Sequence, residues 1–338
     1  MEGRLLRLLL LAFSLSPILA GSAFAQIVDI PAMMDPATMK GPPTFVQLQY
    51  GHQFEADVDD GGTEYSRHNA IFGIGHRAAL GENTSLLALG TYTLHGYQFS
   101  GGDGDGVGVG NPVLPSFNES KFYQWNEVHR MVLGALVAHD FNDRWRVIGG
   151  GVYRSWGENG AEYGDSITGG LILGFNYQRS ETFSAGLLIG AFSRLEGGVG
   201  LLPVPTINWR FAEDWALHTG MVSVFDPGVG AEVGWQISET VALGTGFAFQ
   251  SRQFRLRDRA RVAHPNRNRT DDGGIGSESE IPIFANLKWR PTKRSVVDLM
   301  AGVAVGGNLR VEDADGNRIK DHDYDPAPFV GMKAQFFF

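Results

Sequence analysis

Charged and amide side chains recur in the C-terminal half of the chain at every second position, between apolar neighbours. In Val229-Gly-Ala-Glu-Val-Gly-Trp-Gln-Ile237, Glu232 and Gln236 share one face with two glycines, and Val229, Ala231, Val233, Trp235 and Ile237 share the other. The same phase places Gln250, Arg252, Glu280, Asn286, Lys288, Asp298, Arg310, Lys333 and Gln335 on polar faces. Mixed-sign charges interleaved with amides can solvate ions and polar solutes, or pair with one another and stiffen a wall. Both readings stay open from the sequence.

Other chemistry-bearing stretches have milder explanations. Asp313-Ala-Asp-Gly-Asn317 starts like a calcium loop, but its glycine falls at the fourth place instead of the sixth and no glutamate closes it. The loop 312–326 therefore reads as a solvated acidic turn, with weak divalent binding as the sharper alternative. Gly101-Gly-Asp-Gly-Asp-Gly-Val-Gly-Val-Gly110 lacks the aspartate spacing of glycine-rich calcium repeats and reads as a flexible connection. Seven arginines between Arg252 and Arg269 make a basic stretch, either a charged surface loop or a site for anionic headgroups and solutes. Nine histidines are present without a compact Ser–His or Asp–His spacing, so His52, His68 and His129 are read as strand-end residues, and no enzyme is expected. No catalytic residue, cofactor or metal site is assigned. Cysteine is absent, which excludes disulfides and thiol chemistry. A net charge of −9 argues against nucleic acid.

The elements that position these residues are strands. Alternating segments recur at Ile167 to Tyr177, Phe183 to Ala191, Val241 to Phe249, Ile281 to Trp289 and Val297 to Val305. Six short turns, near residues 81–84, 141–144, 179–182, 211–214, 238–240 and 291–294, alternate with seven connections that are often long. Thirteen connections predict fourteen antiparallel strands. Val199 to Arg210 is the doubtful strand. Pro203 and Pro205 sit two apart, so both missing N–H groups face one neighbour. That predicts a bulge or kink, or a seam where the wall opens sideways; twelve strands result if the segment does not span. Aromatics at Trp145, Phe183, Trp209, Trp215, Trp235 and Trp289 fall beside short turns, as membrane girdles do.

Both ends of the chain carry targeting signals. Arg4 and Arg7 precede an apolar stretch from Leu8 to Leu19, and Ala23-Phe-Ala25 supplies a cleavage site, so residues 1–25 read as an export signal. The last strand, Phe329-Val-Gly-Met-Lys-Ala-Gln-Phe-Phe-Phe338, puts Val330, Met332, Ala334, Phe336 and Phe338 on one face. It resembles the closing strand of Gram-negative outer-membrane β-barrel proteins. The resemblance implies an all-β, transmembrane, antiparallel up-and-down β-barrel over residues 45–338, after a periplasmic segment 26–44. It implies location in the outer membrane, contact with lipid and lipopolysaccharide, and recognition of Phe336 and Phe338 by the barrel-assembly machinery. Fourteen tilted strands enclose a backbone diameter of about 28 Å, wide enough for a small solute. The expected function is a passive channel for small solutes through a polar lumen, with a closed structural or surface-interaction barrel as the alternative.

Overall fold

The computed structural model describes residues 43–59, 62–101, 125–224, 226–257 and 273–338. The export signal, most of the segment 26–44, the Gly/Asp run and Arg259, Arg261, Arg267 and Arg269 lie outside the described residues.

Among the described residues fifteen strands follow one another: β1 (Thr44–Val58), β2 (Thr63–Ala79), β3 (Thr84–Gly101), β4 (Glu127–Asp140), β5 (Trp145–Glu158), β6 (Ile167–Ser180), β7 (Phe183–Ser193), β8 (Val199–Arg210), β9 (Trp215–Ser223), β10 (Pro227–Gln236), β11 (Val241–Arg255), β12 (Ile275–Thr292), β13 (Ser295–Glu312), β14 (Arg318–Tyr324) and β15 (Ala327–Phe337). Each pairs antiparallel with its chain neighbour from β1 through β13, and β15 pairs with both β13 and β1. The result is a closed barrel of fourteen strands. β14 is an extra hairpin strand folded back on the outer end of β13. Pairing of β15 with β1 removes the free edges at the two ends of the sheet, as hydrocarbon demands of a spanning sheet.

Period-two alternation decides which way each side chain points. Leu48, Tyr50, Phe72, Ile74, Leu133, Leu171, Leu201, Ile283, Leu299 and Met332 are exposed on the outside, with Leu171 69% accessible. A contiguous apolar belt around a whole barrel is stable against lipid tails and not against water. Trp145, Trp209, Trp215, Trp235 and Trp289 border it beside the short turns. Trp215 and Trp235 stack at 5.7 Å across β9 and β10, and Trp145 packs 4.8 Å from Tyr177. Side chains set the short turns: Asn142 Oδ1 accepts the backbone N–H groups of Arg144 and Trp145 at 2.9 and 3.0 Å.

The wall is uneven. β2, β3, β12 and β13 have 17 or 18 residues, whereas β7 to β10 have 9 to 12. Above the low side, the outer ends of β5 and β11 meet directly, with Gly157 opposite Arg255 in parallel. Arg255 fastens this junction by donating to the carbonyls of Asp165 (3.2 Å), Gly273 (2.5 Å) and Leu195 (2.8 Å).

Candidate functional site

The doubtful strand does span, and its seam is broken. β8 pairs with β7 over eleven residue pairs, from Phe183↔Trp209 to Ser193↔Val199. With β9 it pairs only at Ile207↔Thr219, Asn208↔His218, Trp209↔Leu217 and Arg210↔Ala216. The ladder ends on a side chain: Thr219 Oγ1 accepts the Ile207 N–H at 2.9 Å and donates to the Pro205 carbonyl at 3.4 Å. Odd-numbered residues of β8 therefore direct their backbone groups toward β9. Pro203 and Pro205 remove two of the donors along that edge.

β9 leaves the wall at Gly220, whose φ of +123° lies in a region that side-chain-bearing residues rarely enter. Beyond it the β9–β10 hairpin folds into the lumen. Both of its faces are covered there. Met221 packs with Leu202, Val204 and Phe192, and Val229 lies against the same cluster. Val222 and Val224 pack with Ala248, Phe284, Met300 and Phe329 from the opposite wall. The Val224 carbonyl accepts the Gln49 amide at 2.6 Å, so the tip reaches β1.

At the tip, Asp226 is fully buried and sits among cations from distant strands. Arg252 Nε donates to its Oδ2 at 2.7 Å and Arg130 Nη1 to its Oδ1 at 3.1 Å. His95 Nε2 stands 3.8 Å from the same oxygen. Arg252 continues to Glu280 at 2.8 Å and Glu278 at 3.2 Å. Arg67 binds Glu278 and Glu280, each at 2.8 Å, and Gln53 at 3.0 Å. Tyr65 and Tyr324 donate to Glu278 at 2.6 Å and to Glu280 at 2.9 Å. Tyr65, Tyr97, Trp125, Trp156, Phe254 and Leu309 form an apolar cap over this network. Charges buried this deeply hold only because each carboxylate has several donors.

The residues expected on polar faces fall into four places. Gln250, Arg252 and Glu280 belong to the buried network, where Gln250 also donates to the Asp226 carbonyl. Glu232, Asn286, Lys288, Asp298, Lys333 and Gln335 lie in the layer toward the short turns. There Lys288 pairs with Glu232, Asn286 reaches Glu232 and Asp298 at 3.4 Å, Lys333 stands opposite Asp298, and Gln335 donates to Gln47 at 3.0 Å. Gln236 is exposed at the Ser238 turn and donates to its carbonyls. Arg310 departs from the expectation. Gly306, at φ +62°, shifts the phase of β13, so Leu309 and Val311 point inward and Arg310 faces Glu312 and Asp321 at 3.6 and 3.5 Å.

Arg67, Asn69, His95, Arg130, Arg154, Asp226 and Glu278 were not selected from the sequence. Alternation along β2 to β5 carried the signal for Arg67, His95, Arg130 and Arg154, since each shares a face with small or apolar inward residues. Asp226 had none, because it sits in a short connection that reads as a surface turn. Of the basic stretch, Arg252 is internal, Arg255 caps carbonyls, and Arg257 lies 3.5 Å from Glu158. His52 and His68 are cross-strand neighbours on the outer face, and His129 bonds Tyr92 Oη at 2.6 Å. Asp313 closes its turn by accepting the N–H groups of Asp315 (3.0 Å) and Asn317 (2.8 Å).

Compared with known proteins, the chain matches no family model and no curated sequence. Solved structures are similar to it at low identity. An outer-membrane channel from Pseudomonas putida F1 is 11% identical, with 88% of this chain and 96% of that chain covered at a TM-score of 0.45. The P. putida toluene transporter TodX is 9% identical, covering 94% and 95% at 0.41. The KdgM porin, solved with oligogalacturonate, is 9% identical, covering 86% and 99% at 0.34. The likeness extends over most of each chain.

Proposed function

We propose that this protein is an outer-membrane channel for small solutes, closed in the described state by its own β9–β10 hairpin. The observation that carries the reading is the hairpin itself. A barrel that served only as a wall would gain most by keeping β9 paired with β8, whereas here the ladder stops after Ile207↔Thr219 and the strand crosses the lumen. Motion of the tip breaks no β8–β9 ladder. β10 is paired with β11 only from Val229 onward, so residues 221–224 and 226–228 are held by the β9–β10 ladder itself, by side-chain packing and by the Asp226 contacts. Polar residues from Glu232 to Gln335 would line the path from the periplasmic mouth to that plug. Location in the outer membrane, an export signal in residues 1–25, and recognition of Phe336 and Phe338 by assembly machinery belong to the same proposal. The apolar belt and its aromatic borders support it.

Planar-bilayer recording tests the reading. The purified protein is expected to show rare openings, and Asp226→Asn to raise the open fraction at least tenfold by leaving Arg130 and Arg252 facing each other. Absence of conductance from both proteins in every salt would leave the closed structural barrel as the correct account.

A further inference from the structure

We infer that the lumen contains a binding site for an apolar monocarboxylate, with Arg154 as its anion-holding residue. The inference rests on the channel reading for its biological meaning. Arg154 projects inward from β5, between Val132 of β4 and Thr168 of β6, and is 2% exposed. Its Nη2 reaches the Ser193 carbonyl at a long 3.4 Å. Its Nε and Nη1 have no hydrogen-bond partner, and among the described residues no carboxylate lies within ion-pair distance. The three other buried arginines of this region, Arg67, Arg130 and Arg252, each contact an acid.

The charge balance points the same way. Around the hairpin tip, Arg67, Arg130 and Arg252 already meet the three acids Asp226, Glu278 and Glu280, and Arg154 pairs with none of them. An unpaired buried guanidinium is costly and is relieved by a single anionic group. The surroundings specify what that group is attached to. The guanidinium lies 4.7 Å from the centre of the Phe192 ring. Below it Val132, Val152, Ile172, Leu188, Leu202 and Val204 form a continuous apolar wall. A dianionic phosphate would lose far more hydration here than one cation returns, while a carboxylate on an aromatic or aliphatic body matches both charge and wall. Met221 and Val229 of the hairpin now cover part of this wall. Displacing the hairpin would uncover the apolar surface beside the free donors, so ligand and open state favour each other.

The test is calorimetric titration of the full-length protein in detergent with benzoate and hexanoate, against benzyl alcohol, hexanol and inorganic phosphate. Saturable binding of both acids is expected. The alcohols and phosphate should bind at least about tenfold more weakly, and Arg154→Gln should lose about tenfold for the acids while Arg154→Lys keeps part of the affinity. Wild-type protein that binds no acid, acid and alcohol that bind equally, or an R154Q protein that titrates benzoate like wild type would each overturn the site. If R154Q does not reach the heat-modifiable folded form on gels, the acid-against-alcohol comparison in wild type decides alone. Binding without conductance would remove the channel reading and leave the site standing; conductance without binding would do the reverse.

Discussion

Single residues hold the closed state. Arg67 joins Glu278 and Glu280 to Gln53, and each acid also draws on Arg252 and a tyrosine. Removing one member strands the rest, which is more damaging than never having built the network. Arg67→Met is therefore expected to cost about 3–5 kcal/mol, read from the temperature or denaturant at which the folded gel band is lost. Asp313 works at the surface. The Asn317 side chain and the backbone N–H groups of the turn hold its carboxylate below the ordinary range. A depressed folded value means the stabilisation is present above the unfolded pKa and disappears as pH falls through the folded one. The β13–β14 turn should accordingly become protease-sensitive in acid before the barrel does, and Asp313→Asn should show that sensitivity at neutral pH. Cleavage that is independent of both pH and this substitution would refute the assignment.

At the scale of the element, the β9–β10 hairpin is the informative one. Gly220 turns β9 out of the wall at φ +123°, and a β-branched residue there is strained by about 1–3 kcal/mol. Gly220→Val should weaken the folded-in position and raise the open fraction in bilayers, in the same direction as Asp226→Asn. Replacing Pro203 and Pro205 with Val restores two donors facing β9 and should favour a continued β8–β9 ladder. The expected sign is again a more open channel, accompanied by slow hydrogen exchange at the new amides of residues 203 and 205. Fast exchange at those new amides would show that the prolines are not what ends the ladder.

For the whole molecule, closure and lumen contents separate cleanly. Fourteen strands close because β15 pairs with β13 on one side and β1 on the other. The folded barrel is expected to migrate differently in SDS gels before and after boiling. Asp226→Asn should keep that shift while changing conductance, since among the described residues Asp226 bonds to wall side chains and takes no part in a strand ladder. Loss of the shift together with the conductance change would mean that the hairpin supports the wall instead of closing it.

The fourteen barrel strands and the facing of most residues were legible in the amino-acid order, because a period of two is a local property and each short turn marks its own position; β14 was not, since it lies in the stretch 312–326 that reads as a loop. Val330, Met332 and Phe336 outward with Lys333 inward follow from neighbouring residues alone. Gly306 shows where that reasoning stops: one residue at positive φ reversed the phase, and Arg310 left the inner face. The proline pair marked a weak seam, yet whether that meant a kink or an opening depended on where β9 went. Arg67 and Glu278 are 211 positions apart, and Asp226 meets Arg130 across 96. No local pattern encodes such meetings. They arise only when the sheet has closed and the curvature of the wall brings opposite strands within reach of one hairpin tip.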